Sequence, residues 1–266
     1  MAPIQDVILE EEDIMYSKPD HDHQATNICH CITGGVGGMG ILMANILVQN
    51  GVKSTVLTSR RDTVPPESQE MYDKIANSRA QIVRRRLNSA SALGTREIIQ
   101  ENTVHPPITG ITHGAGVLRD GMINQQTRGK WKDTLQPKYY GAWILNNLMS
   151  NKPWETSHFL VFSSMAAIGS AGQSNHSGSC SGLDLLCHYR MKSGMVGTAV
   201  NLGAIAEVGY AARHSVGAGG AGPQGAKSGT AEKKAALEAT ITQPQPTAGP
   251  GAPNQEGEKE ETKEAS

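Results

Sequence analysis

Apolar and polar positions along this chain repeat in one order: a short strand-like run, a turn of small or polar residues, then a longer helical run. In Ile28-Cys29-His30-Cys31-Ile32, residues 28, 30 and 32 alternate with the two cysteines, as along a strand. Ile41 to Gln49 follows as a continuous helical run, closed by Asn50-Gly51. Ser54 to Thr58 reads as a second strand, and Pro65-Pro66 forces a loop. Glu67 to Arg79 reads as a polar helix with Met71 and Ile75 four apart on one face. Gln81-Ile82-Val83 is a short third strand, and Arg84-Arg85-Arg86 after it is expected to be its solvated end. Thr95 to Glu101 supports another helix, stopped by Pro106-Pro107, and Ile108 to Thr112 gives a fourth strand.

The first strand and helix are joined by Thr33-Gly34-Gly35-Val36-Gly37-Gly38-Met39-Gly40. Strand, glycine turn, helix is the context that a G-x-G-x-x-G pattern needs to hold a dinucleotide. Gly35 would allow the tight turn, Gly37 the approach of a pyrophosphate, and Gly40 close packing of helix on sheet. The helix N-terminus adds free amides and partial positive charge. A second small-residue turn, His113-Gly114-Ala115-Gly116, ends the fourth strand. Small residues at strand carboxyl ends place a ligand along that edge. The expected fold is a Rossmann-type α/β, a doubly wound parallel sheet of order 3-2-1-4-5-6 in three α/β/α layers.

The adenosine ribose is read about 20 residues beyond the glycines, where Ser59-Arg60-Arg61-Asp62 lies. A guanidinium pair suits a 2′-phosphate, whereas Asp62 would accept from a free 2′-hydroxyl. NADPH is the preferred cofactor, with NAD the alternative. The cofactor residues expected are Thr33, Gly35, Gly37, Gly38, Met39, Gly40, Ser59, Arg60, Arg61, His113, Ala115 and Gly116.

Composition limits this reading in useful ways. Hydrophobic residues make up 38% of 266, and the shortfall lies after Ala212. Residues 213–266 are rich in Gly, Ala, Pro, Gln, Glu and Lys, and are expected to form a disordered tail. Residues 1–26 form a polar lead-in, and 27–212 the cofactor-binding domain. A net charge of −1 gives no electrostatic case for nucleic acid or an anionic membrane. No apolar run approaches a membrane span of about 20 residues. Four cysteines make no disulfide framework and favour a reducing, cytoplasmic compartment. His21, His23, Cys29, His30 and Cys31 have zinc-binding side chains, but such sites usually space paired ligands more widely, so no metal is expected.

From Ile32 to Gly209 the chain resembles the ketoreductase domain of modular polyketide synthases and animal-type fatty acid synthases, in the short-chain dehydrogenase/reductase superfamily. The matching stretches, in family order, include Thr33–Gly40, Leu57–Arg61, Gly110–Gly121, Leu135–Lys138 and Gly141-Ala142-Trp143. Phe159–Ser164, Gly172–His176, Asn201–Ala204 and Glu207-Val208-Gly209 complete them. The resemblance implies NADPH-dependent reduction of a 3-ketoacyl thioester, with an acyl carrier protein or other synthase domains as partners. It also implies that Lys138 is the catalytic lysine, which holds the nicotinamide ribose, and that Ser164 is the serine. Position 176 would be the tyrosine and position 180 the asparagine.

This sequence departs from that pattern where proton transfer happens. Position 176 is His and position 180 is Cys, and the spacing from Ser164 is one residue short, so Ser163 is an alternative serine. Lys138 would lower a tyrosine's pKa but disfavours an imidazolium. Tyr139, Tyr140 and Tyr189 are off-register and read as helix residues, and Cys180 as a small buried residue on a helix from Asn175 to Met191. Leu118-Arg119-Asp120 stands where the family carries Leu-Asp-Asp. Catalytic candidates are therefore Lys138, Ser164 and His176. Two functions remain open: an active NADPH-dependent ketoreductase, or a catalytically impaired dinucleotide-binding module with an assembly or scaffolding role.

Overall fold

The structure, a computed structural model, describes residues 29–101, 104–151 and 156–203. The expected lead-in over 1–26, the tail over 213–266 and both ends of the 27–212 domain lie outside them, as do His21, His23 and the 204–209 stretches.

The strands and α-helices run β1 Cys29–Thr33, α1 Gly38–Gln49, β2 Ser54–Ser59, α2 Gln69–Ala76, β3 Gln81–Arg86 and α3 Ala92–Gln100. Then come β4 Ile108–His113, α4 Arg128–Leu135, α5 Gly141–Met149, β5 His158–Ser164, α6 Ser174–Lys192 and β6 Thr198–Leu202. The strands form one parallel sheet in the order β3-β2-β1-β4-β5-β6, as expected. β1 is central and every residue in it is buried.

Two-residue alternation feeds two cores. Cys29, Cys31, Val56, Phe159 and Val161 face a cluster with Ile98 of α3, Leu145 of α5 and Leu183 of α6. Ile32, Leu57, Leu160 and Phe162 face the other, with Ile41, Met43 and Leu47 of α1 and Ile75 of α2. Helices on both faces make the three layers. Arg190, fully buried, fastens α6 to this scaffold. Its Nε donates to the Val196 carbonyl at 2.6 Å and its Nη1 to Asn146 Oδ1 at 2.7 Å, above the Phe159 ring.

Several boundaries differ from the pattern for local reasons. α1 starts three residues before the apolar run, because Gly37 acts as its N-cap. α3 starts at Ala92, where the Ser91 hydroxyl caps the Gly94 amide. β3 continues through Arg84–Arg86, pairing residue for residue with β2. As an edge strand it releases guanidinium groups to solvent, where Arg85 pairs with Glu101 at 2.7 Å and Arg84 with Asp62 at 3.4 Å.

α4 and α5 are one helix interrupted by a wide turn, Gln136–Tyr140, in which the Gly141 amide reaches back five residues to the Gln136 carbonyl. Pro137 explains the interruption, since it has no N–H and its ring clashes with the carbonyl four residues earlier. That turn carries Lys138.

Candidate active site and cofactor cleft

The glycine turn assigns its roles differently from the motif alone. Gly34, at φ +70°, makes the left-handed turn, and a Cβ there would lie 2.8 Å from the Gly114 carbonyl oxygen. The two small-residue turns thus touch through backbone. Gly35 is required by contact: a Cβ would sit 2.6 Å from the Ile32 oxygen and 2.9 Å from Leu57 Cα. Gly40 packs its backbone against Gly34 and Gly35, as a close helix–sheet contact demands. Gly37 is the open position, where a Cβ would meet only the Gly34 oxygen at 3.2 Å.

Beyond the turn lies a cleft of about 100 Å³ lined by Gly34, Ser59, Arg60, Ser89, Ala115 and Gly116, among others. It opens at the carboxyl edge between β1 and β4, where the strand order reverses. No side chain caps the α1 amides and no acidic residue occupies its first turn, which leaves that terminus suited to an anion. Arg60 is exposed and lines the cleft, whereas Asp62 lies outside its lining, 3.4 Å from Arg84 in an exposed pair. The donor set therefore fits a nicotinamide dinucleotide. Arg61 is exposed outside the cleft lining, its amide donating to Ser59 Oγ at 3.3 Å.

His113 is buried at 1% exposure, and both ring nitrogens are committed to protein. Nε2 lies 2.7 Å from the Lys138 carbonyl oxygen, an obligate acceptor, so Nε2 carries the proton. Nδ1 then accepts from the Thr33 hydroxyl at 2.7 Å. Burial lowers the His113 pKa to about 4, which keeps this tautomer neutral. Thr33 and His113 thus tie the ends of β1 and β4 to the wide turn bearing Lys138. Their side chains position the cleft, and neither residue is among those lining it.

Lys138 is buried, and its Nζ donates to the Phe162 carbonyl at 2.9 Å. Burial lowers its pKa, while neighbouring Cys180 and Asp184 act in the opposite direction. His176 opens α6 close to Lys138. Its pKa falls to about 4, first through burial and then through the Lys138 charge, with Asp120 opposing. Its Nε2 lies 3.6 Å from Cys180 Sγ one turn along, and its buried Nδ1 has no hydrogen-bond partner. Burial pushes the Cys180 thiol up. The pair is therefore a thiol beside a neutral imidazole, and Cys180 is fully buried, which argues against a cysteine nucleophile.

The two serines of β5 have separate surroundings. Ser163 is buried and donates to the Cys180 carbonyl at 3.3 Å. Ser164 is half-buried and accepts from the Ala166 amide at 3.2 Å. Among the described residues, no hydrogen bond joins Ser164 to Lys138 or His176. Asn175 was not singled out from sequence, yet it is fully buried and organises this corner. Its Nδ2 donates to the Arg119 carbonyl at 2.9 Å and to Thr134 Oγ1 at 3.3 Å, and its Oδ1 accepts from the His176 amide at 2.7 Å. The Asn-His dipeptide was visible, but its bonds to residues over 40 positions away were not.

Among the described residues, no three His, Cys, Asp or Glu side chains gather to hold a metal ion, and no helix is long and apolar enough to cross a membrane.

The KR domain profile matches residues 29–207. A partially reducing polyketide synthase, tpeA of Talaromyces stipitatus, is 32% identical over 179 residues, 66% of this chain and 7% of that protein. The reducing polyketide synthase FUB1 of Gibberella moniliformis is 30% identical over 195 residues, 73% of this chain and 8% of that protein. The chain thus spans under a tenth of the length of these curated relatives. Among solved structures, A-type ketoreductases from a modular polyketide synthase superpose with TM-score 0.65 at 28% identity, covering 71% of this chain and 40% of theirs. The first ketoreductase of the tylosin synthase gives 0.64 at 26% identity, covering 80% and 46%.

Proposed function

The chain belongs to the KR domain family of polyketide synthases, and from that premise we propose that it binds NADPH and reduces a 3-ketoacyl thioester slowly at neutral pH. One observation supports the cofactor choice: Arg60 lines the cleft, and Asp62 does not. The α1 N-terminus and the open Gly37 would receive the pyrophosphate, and Lys138 would hold the nicotinamide ribose. Bound NADPH would supply the hydride.

The rest of the chemistry falls to the chain's own groups. Negative charge developing on the ketone oxygen needs preorganised donors and then a proton. Ser164 supplies a hydroxyl hydrogen bond to that oxygen. With the Cys180 thiol as donor to His176 Nε2, 3.6 Å away, the proton of neutral His176 would sit on Nδ1. A neutral imidazole polarises a carbonyl through its N–H. It gives up that proton poorly, so proton delivery limits the rate. The neutral His176 also favours a second reading, a cofactor-binding module whose catalysis has been lost. The acyl substrate would be delivered by a carrier protein or another synthase domain, since the relatives are polyketide synthases of which this chain matches one part.

The test pairs direct NADPH binding with NADPH oxidation on a 3-ketoacyl thioester. Binding with slow turnover is the expected result; binding without any turnover selects the second reading, and no binding overturns both. Arg60→Ala is expected to weaken NADPH by about 1.5–3 kcal/mol, the range for hydrogen bonds to charged groups, and to leave NADH nearly unchanged. Equal losses for the two cofactors would remove Arg60 from phosphate recognition.

A further inference from the structure

Next to the cofactor cleft lies a second cavity of about 100 Å³ that shares Arg60 and Pro137 with it. Arg60, Asn88, Arg119, Asp133 and Gln136 are among the residues that line it. Two arginines from distant parts of the chain thus border one small space.

Arg119 is well anchored but loosely engaged. Its carbonyl accepts from Asn175 Nδ2 at 2.9 Å and from Gln126 Nε2 at 3.3 Å, which fixes the backbone. Its side chain donates through Nε to Asp133 at 3.0 Å and through Nη1 to the Leu118 carbonyl at 3.2 Å. Both members of the ion pair are about half exposed, at 48% and 53%. An exposed pair of this kind holds its partner weakly, and a guanidinium has five N–H donors, so Arg119 has capacity for a second anion.

We infer that Arg119 is a second cofactor-reading cation, which lines the same cavity as Arg60 and binds the phosphate on the adenosine ribose. Resting on the NADPH reading above, the inference adds a residue from the loop after β4 to the arginine at the end of β2. Asp133 competes with the phosphate for the same guanidinium and acts as a brake on cofactor affinity. An arginine flanking a phosphate prefers a dianion over a hydroxyl by charge as well as by hydrogen-bond geometry.

The sign of the Asp133 effect separates this role from a structural one. Binding of NADPH, NADH and adenosine 2′,5′-bisphosphate is measured by titration calorimetry on the full chain, beside a thermal melt. Arg119→Ala should weaken NADPH and the bisphosphate about tenfold and leave NADH within about twofold, with Arg119→Lys intermediate. Asp133→Asn should tighten NADPH severalfold. Wild type that prefers NADPH while Arg119→Ala binds it equally well overturns this inference alone. Equal weakening of NADPH and NADH also overturns it, showing that Arg119 only supports the loop. Wild type with no preference for NADPH overturns the cofactor reading, and this inference with it.

Discussion

Burial and the Lys138 ammonium both favour uncharged His176, which titrates at about 4 rather than 6.5. At pH 7 such a group is protonated in about one molecule in a thousand. If the imidazolium is the proton donor, turnover should rise about tenfold for each unit that pH falls from 7 toward 5.5. A flat profile over that range counts against it. Replacing the pair by His176→Tyr with Cys180→Asn changes the sign of the lysine's influence, because Lys138 stabilises a phenolate while it destabilises an imidazolium. The double variant is expected to turn over about 10²–10⁴-fold faster than wild type at pH 7, the usual range for positioned acid–base assistance. If rates are unchanged while NADPH binding persists, the limiting step lies elsewhere. Neither substitution alters the glycine turn, so cofactor affinity serves as the internal control.

The glycine turn shows what an element adds to its residues. Gly35 and Gly37 look alike in the motif, but a Cβ at Gly35 meets backbone on two strands, and one at Gly37 meets a single oxygen at 3.2 Å. Gly35→Ala is therefore expected to destabilise the fold by about 1–3 kcal/mol, the typical cost of overpacking. Gly37→Ala should stay within about 1 kcal/mol of wild type and yet lose NADPH affinity. Urea denaturation beside cofactor titration checks both, and a Gly37→Ala protein that binds NADPH normally would contradict the ligand's approach at that position. The turn was legible in the sequence because strand and helix periodicity flank it. Its division of labour was not, since the need for glycine at 35 comes partly from Leu57, over 20 residues away, besides the nearby Ile32 oxygen. The wide turn around Lys138 was hidden in the same way. Pro137 inside a helical run signals an interruption, but only the His113 bond to the Lys138 carbonyl shows what it positions.

At the scale of the molecule, strand order and layers followed from the repeated strand–turn–helix pattern, because each periodicity has one way to bury its apolar side. The polar contents of the core did not follow, since they depend on which strands become neighbours. His30 on β1 reaches over Gly110 of β4, where a Cβ would collide with its ring, and stacks 5.4 Å from His158 of β5. Burial, then His158, lowers its pKa to about 3. With His113 at about 4, two histidines of the central sheet are neutral when folded and titrate at 6.5 when unfolded. Between those values the unfolded chain binds more protons than the folded one, so stability is complete above pH 6.5 and declines as pH falls toward 4 and then 3. At about 1.4 kcal/mol per pH unit for each histidine, the two together should remove about 4 kcal/mol between pH 7 and pH 5. Against a total of about 5–15 kcal/mol for a domain, that is enough to shift a urea midpoint visibly. His176, also held near 4, adds to the same loss, so His30→Phe removes one titration of three and should cut the loss by about a third over the same interval, even if the variant starts less stable. A midpoint that does not move between pH 7 and pH 5 would mean that water reaches these rings and that the sheet's centre is less closed than its geometry implies.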